Sequence, residues 1–183
     1  MKQFLKFFGS VLIAFATTAL YAQEEQPMIG QRAPSFELKG IDDKNYSLAQ
    51  WKGRLLMIHF ATTWCPFCNA EAPNLELLYQ DYKDKGIQVL IIDVKEGRDL
   101  VTQSFKRFNF SFPVLLDEDG KVAAAYAPAG VLPDLARDEV VLASNLIIDR
   151  EGKIQFYSLL NTVSFDAKLT QARKRIDELL SQR

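Results

Sequence analysis

The stretch HFATTWCPFCNAEAP, His59 to Pro73, holds both cysteines of the chain and its only histidine. Cys65 and Cys68 stand three positions apart, a spacing that puts both side chains on one face of a helix, close enough for their sulfurs to bond. A cysteine at a helix start meets free N–H groups and the positive end of the macrodipole, and both favour its thiolate. Cys65 is therefore the expected attacking sulfur and the more exposed of the two. Pro66 suits the first helical turn, because its φ is already helical and its missing N–H would have no partner there. First cysteines in such pairs have pKa values of about 3.5 to 7. The chemistry that follows is thiol–disulfide exchange: the Cys65 thiolate attacks a disulfide in a partner, and Cys68 then attacks Cys65 to release the reduced partner. The same steps run backwards make an oxidant, and Pro66-Phe67 carries no charge from which to argue the direction.

Other uses of the pair fit less well. An inert disulfide closing so short a loop adds little stability. Zinc asks for about four ligands, whereas the chain offers two cysteines and one histidine. Haem attachment needs a histidine directly after the second cysteine, and Asn69 stands there. No metal and no cofactor is expected.

The surrounding elements must hold this pair at a strand-to-helix junction. Ahead of it, Leu55 to Ala61 is a continuous apolar run of the kind that forms a strand buried on both faces. Behind it, Leu75, Leu78 and Tyr82 recur at helical spacing and Gly86 ends the pattern. Ile87 to Val94 reads as a second buried strand. A helix is expected from about Asp99 to Phe108 with Leu100, Phe105 and Phe108 on its apolar side. Phe112 to Leu116 reads as a short strand and VAAAYA as a short helix. Val140 to Asp149 and Lys153 to Tyr157 read as a hairpin, followed by a helix from about Ser164 to Leu180. Upstream, Phe36 and Leu38 alternate with polar residues before turn chemistry at Ile41 to Lys44, a small hairpin preface. The fold class is α/β, a mixed central sheet flanked by helices with an N-terminal hairpin extension.

Lys2 and Lys6 precede an apolar run from Phe7 to Leu20, and the small residue Ala22 precedes a polar stretch, the layout of a secretory signal peptide. The run is shorter than the roughly 20 residues of a membrane span. Residues 1–22 are thus expected to be a signal peptide and 23–183 one domain of an exported protein, in the bacterial periplasm. Membrane contact is expected only if the N-terminal segment stays uncleaved as an anchor. With 22 basic against 23 acidic residues, a net charge of -1, nothing suggests nucleic acid as partner. Arg173-Lys174-Arg175 sits beside Asp177 and Glu178 and reads as a solvated helix face.

The stretch FATTWCPFCNAEAP resembles the active site of the thioredoxin superfamily, and specifically of exported TlpA-like thiol-disulfide oxidoreductases. Trp64 before the pair, Glu71 three residues after Cys68, and Pro73 two beyond that carry the likeness. IGQRAPSFEL, FPVLLDEDGKVAAAYA and LIIDREGKI are similar to phrases of the same family and of its peroxiredoxin relatives. The resemblance spans roughly residues 29 to 182. It implies a thioredoxin-like fold and the roles of Cys65 as attacking thiol and Cys68 as resolving thiol. It also makes Glu71 a partly buried acid able to relay a proton to or from Cys68, although a first-turn Glu also interacts with the helix dipole. Trp64, Pro66 and Phe67 would form the active-site surface, and Pro73 would kink the helix. The implied partners are proteins bearing thiols or disulfides, together with a redox partner that recycles the pair.

Two positions depart from that family. His59 stands where thioredoxins carry a buried acid; it reads either as a hydrogen-bonded core residue or as a proton relay. The family's cis-proline, opposite the cysteines, falls on Ala143 when counted back from Asp149. A non-proline cis bond costs about 3 kcal/mol, so a trans peptide is expected there. Ala143 is expected to be a loop end facing Cys65, where proline would alter activity on proteins far more than stability. Pro133 is the other candidate counterpart, and Pro128 to Glu139 is expected to form an extra surface loop or short helix. Three functions compete: a protein thiol-disulfide oxidoreductase acting as a reductant, a peroxiredoxin-like peroxidase suggested by Thr62, and a degenerate binding domain suggested by Ala143.

Overall fold

The computed structural model describes residues 28–182; the segment 1–22, expected to be a signal peptide, lies outside them. Seven strands form one sheet in the order β2-β1-β5-β4-β3-β6-β7. At its centre β3 (Leu55–Ala61) runs parallel to β4 (Ile87–Val94), and β4 runs parallel to β5 (Val114–Asp117). On the far side of β3, β6 (Asn145–Ile148) pairs antiparallel with it, and β7 (Ile154–Ser158) continues antiparallel. The expected preface is a hairpin of β1 (Glu37–Gly40) and β2 (Asn45–Ser47), joined antiparallel to β5. The result is a mixed α/β sheet, as the strand patterns predict.

The continuous apolar run of β3 splits by the two-residue side-chain period into two cores. Leu55, Met57 and Ala61 join Leu75 and Leu78 of α1 (Pro66–Tyr82) and Ile176 of α4 (Thr170–Ser181). Leu56, Ile58 and Phe60 join Leu90, Ile92 and Leu115 on the opposite face, where α3 (Lys121–Tyr126) contributes Ala123 and Tyr126. His59 therefore shares the face that meets α1. Helix α1 runs through Pro73 and ends in a 3-10 turn closed by Gly86 at φ 92°. Tyr82 ties it to α4 by donating to Asp177 at 2.8 Å.

Several boundaries differ from the sequence expectation. In α2 (Arg98–Phe105), Leu100 faces solvent at 50% exposure, and Val101 is the residue that packs inward. Val140 to Ser144 is not strand: it forms turns, with Leu142 N–H on the Glu139 carbonyl at 3.2 Å and Ser144 N–H on Val141 at 2.9 Å. Helix α4 starts at Thr170, leaving Phe165 and Leu169 before it; Leu169 is left-handed, φ 58°, and the Asp166 carboxylate accepts the Gln171 N–H at 3.0 Å. The 128–139 segment forms turns without a helix, held by Arg137 donating to the carbonyls of Val131 and Pro128.

Candidate active site

Parallel β3 delivers the chain to the start of α1, where Cys65 is the N-cap and Pro66 the first helical residue. Cys65 and Cys68 are joined as a disulfide with Cα atoms 5.3 Å apart. Cys65 Sγ accepts the Cys68 N–H at 3.1 Å, so one free donor of the first turn points at that sulfur. Both cysteines are buried while the disulfide is closed, at 4% for Cys65 and 3% for Cys68, so the pair differs little in exposure. Trp64 stands out at 68% exposure beside exposed Pro66. Phe67 packs edge-on against Phe165, ring centroids 4.9 Å apart.

Behind the pair lies a buried polar triad. His59 on β3 is directly opposite Asn145 on β6. Its Nδ1 lies 3.1 Å from Asn145 Oδ1 and 3.2 Å from Glu71 Oε2. Asn145 Nδ2 donates to both Glu71 oxygens, at 3.2 and 3.1 Å. Asn145, its Nδ2 donating to Glu71, presents an oxygen that can only accept, so the network assigns a proton to Nδ1. Burial pushes the His59 imidazole down to about 4, a shift only partly offset by its contacts with Asn145 and Ser144. Burial likewise pushes the Glu71 carboxyl up to about 8; Asn145 opposes this and the Asp166 carboxylate adds to it. The resemblance makes Glu71 partly buried, whereas it is 3% exposed. No sequence signal marked Asn145, whose importance comes from the β3–β6 register alone.

Ala143 follows this network into the turn before β6. Its peptide is trans, as are all among the described residues, and its φ is 58°. It is buried in the same cluster as Cys65 and Cys68, and its N–H donates to the Phe60 carbonyl at 2.9 Å. That corrects the expectation of an open loop end. Glu71, Ala143 and Asn145 also line a cleft of about 310 Å³, together with Phe165, Asp166 and Leu169. Pro133 belongs to the separate 128–139 turns.

A second polar set reaches the cysteine loop from the end of β4. Glu96 accepts from both the N–H and the hydroxyl of Thr63, at 2.5 and 2.7 Å. Nearby Asp93 is fully buried, with no hydrogen-bond donor at either oxygen. Burial, reinforced by Glu96, pushes Asp93 up to about 9. Sequence reading missed both acids, because DVKEG looks like an ordinary charged turn after a strand.

Residues 29–157 match the model of the AhpC/TSA family. Thiol-disulfide oxidoreductase ResA of Bacillus cereus is 31% identical over 134 residues, covering 73% of this chain and 71% of that protein. Its Bacillus subtilis counterpart is 30% identical over 136 residues, covering 74% and 70%. Among solved structures, a thiol:disulfide interchange protein of the thioredoxin family from Chlorobium tepidum superposes with a TM-score of 0.63 at 24% identity. It covers 85% of this chain and 97% of that one, and shows the shared fold. With a bonded Cys-x-x-Cys pair at the strand-to-helix junction of that fold, the chain belongs to the AhpC/TSA family within the thioredoxin superfamily, as a thiol-disulfide oxidoreductase.

Proposed function

We propose that this oxidoreductase is exported and reduces disulfides in protein partners, with Cys65 attacking, Cys68 resolving and Glu71 relaying the proton. The observation that carries the roles is the helix N–H directed at Cys65 Sγ, with Glu71 one helical turn beyond Cys68. Resolution requires Cys68 to lose its proton as it attacks Cys65. A carboxyl near pKa 8 is matched to a thiol of about 8.5, which makes transfer between them efficient. His59, neutral and bonded through Asn145, keeps the carboxyl oriented. Trp64 and Pro66 supply the exposed surface for a partner, and a further redox protein recycles the disulfide.

Acids around the pair support the direction. Asp166 acts on Glu71, and Glu96 on Asp93, beside the same loop. Negative groups oppose a second anion, so they disfavour the Cys65 thiolate; oxidising pairs depend on a stabilised reduced form. The lysine-flanked apolar run at residues 7–20 supports export.

Insulin reduction by the purified protein tests the activity: the parent precipitates insulin chains, Cys65→Ser does not, and Cys68→Ser accumulates mixed disulfides through Cys65. A reduction potential near -270 mV supports a reductant, and one near -120 mV overturns that direction. Exported chain lacking residues 1–22, read by mass, supports the signal peptide; retention of those residues in exported chain overturns cleavage.

A further inference from the structure

The cysteine loop is gripped from one side by the crossover that follows β4. Thr63, two residues before Cys65, gives both its donors to Glu96. Its carbonyl accepts Asn69 Nδ2 at 3.0 Å, and Asn69 Oδ1 accepts Arg107 Nη2 at 2.8 Å. Glu96 precedes α2 and Arg107 follows it, so one segment anchors both ends of this chain of contacts. The same turn carries Lys95, whose ammonium pairs with Asp138 of the 128–139 segment.

Asp93 is the buried carboxyl beside this contact. A buried carboxyl without donors cannot remain ionised beside another carboxylate, and protonation makes it a donor toward Glu96.

We propose that Glu96 is a positioning residue for thiol exchange: by gripping Thr63 it holds Trp64 and Cys65 in the geometry of the closed disulfide and makes the pair a stronger reductant. The inference rests on exchange through Cys65 and Cys68. Two effects act in the same sense. The grip is made with the disulfide closed, and on this proposal it holds the loop more tightly in that form than in the dithiol. A carboxylate next to the loop also opposes the Cys65 thiolate that would stabilise the reduced form. Charge-assisted contacts to a backbone N–H and a hydroxyl are among the stronger ones available to a surface loop.

The test is equilibration of the full chain with glutathione. In that reaction the Cys65–Cys68 dithiol passes two electrons and two protons to glutathione disulfide, giving the intrachain disulfide and two glutathione thiols. Glu96→Ala is expected to shift the equilibrium about tenfold toward the dithiol, a potential about 30 mV less negative. Glu96→Gln retains an acceptor for the Thr63 N–H and is expected to shift it less. Glu96 is half-buried on a turn, so thermal midpoints near the parent's are expected for both. A parental potential for Glu96→Ala overturns the inference, and so does an equal shift in both variants, which would leave charge without grip. If the parent exchanges normally while the variants are indifferent, only this inference fails; a parent that does not equilibrate with glutathione overturns exchange and inference together.

Discussion

At the scale of single residues, the site turns on where one proton sits between Glu71 and His59. Both are buried, and burial favours the neutral form of each: the carboxyl is pushed up to about 8 and the imidazole down to about 4. Asn145 fits that assignment, donating to Glu71 and accepting from His59. Glu71 thus holds a proton at neutral pH and ionises as pH passes about 8, where it becomes a base for Cys68. Release of the reduced partner should accordingly speed up as pH rises through about 8. Glu71→Gln should remove that inflection and slow release on the order of 10²-fold, the low end of what a positioned proton acceptor contributes. Stopped-flow measurement of mixed-disulfide decay between pH 6 and 9 checks this; a profile matching the parent's would leave Glu71 with an orienting role only. Asparagine in place of His59 should preserve the Glu71 inflection, because His59 contributes a contact and not the titrating proton.

At the scale of elements, what was legible depended on whether the signal was local. The apolar runs of β3 and β4, the helical spacing of Leu75, Leu78 and Tyr82, and the stop at Gly86 all act within one element, and each appears where its pattern predicts. The segment Val140 to Ser144 is as apolar as a strand yet forms turns, with Ala143 bonded to the Phe60 carbonyl and buried in the same cluster as the cysteines. Hydrophobicity reported its burial correctly but not its backbone. Asn145 and Glu96 were invisible for a related reason: each gains its role from a partner 74 or 33 positions away. The Ala143 backbone also reverses the expectation for proline. Proline needs φ near -65° and has no N–H, whereas Ala143 sits at φ 58° and donates to Phe60. Ala143→Pro should cost about 3 kcal/mol or more of stability. Glycine relieves a left-handed penalty of roughly 1 kcal/mol, so Ala143→Gly should be neutral or slightly stabilising. Urea unfolding of the disulfide form measures both, and a parental midpoint for Ala143→Pro would mean that this turn rebuilds freely.

At the scale of the whole molecule, the chemistry collects at the carboxyl ends of the central parallel strands, where open α/β sheets commonly place their sites. The cysteines follow β3, while Asp93 and Glu96 stand at the end of β4. Concentrating acids there has a cost in stability that depends on pH. Asp93 binds its proton until about pH 9 in the fold but only until about 3.8 when unfolded. Between those values the native state holds a proton the unfolded chain has lost, so stability is greatest below the lower pKa and declines as pH rises through the upper one. The slope for one such group is at most about 1.4 kcal/mol per pH unit. Glu71 adds the same sign between its ordinary 4.5 and about 8. His59 adds the opposite sign below 6.5, where the unfolded chain gains a proton that the fold excludes until about 4. Asparagine at position 93 carries no titrating proton and can still donate to Glu96. Asp93→Asn should therefore unfold at a higher temperature than the parent, with a margin that widens steadily from pH 5 to pH 9. Thermal melts of the oxidised proteins isolate the effect, since disulfide-bonded cysteines do not titrate. A margin that stays constant across that range would mean that Asp93 is ionised in the fold.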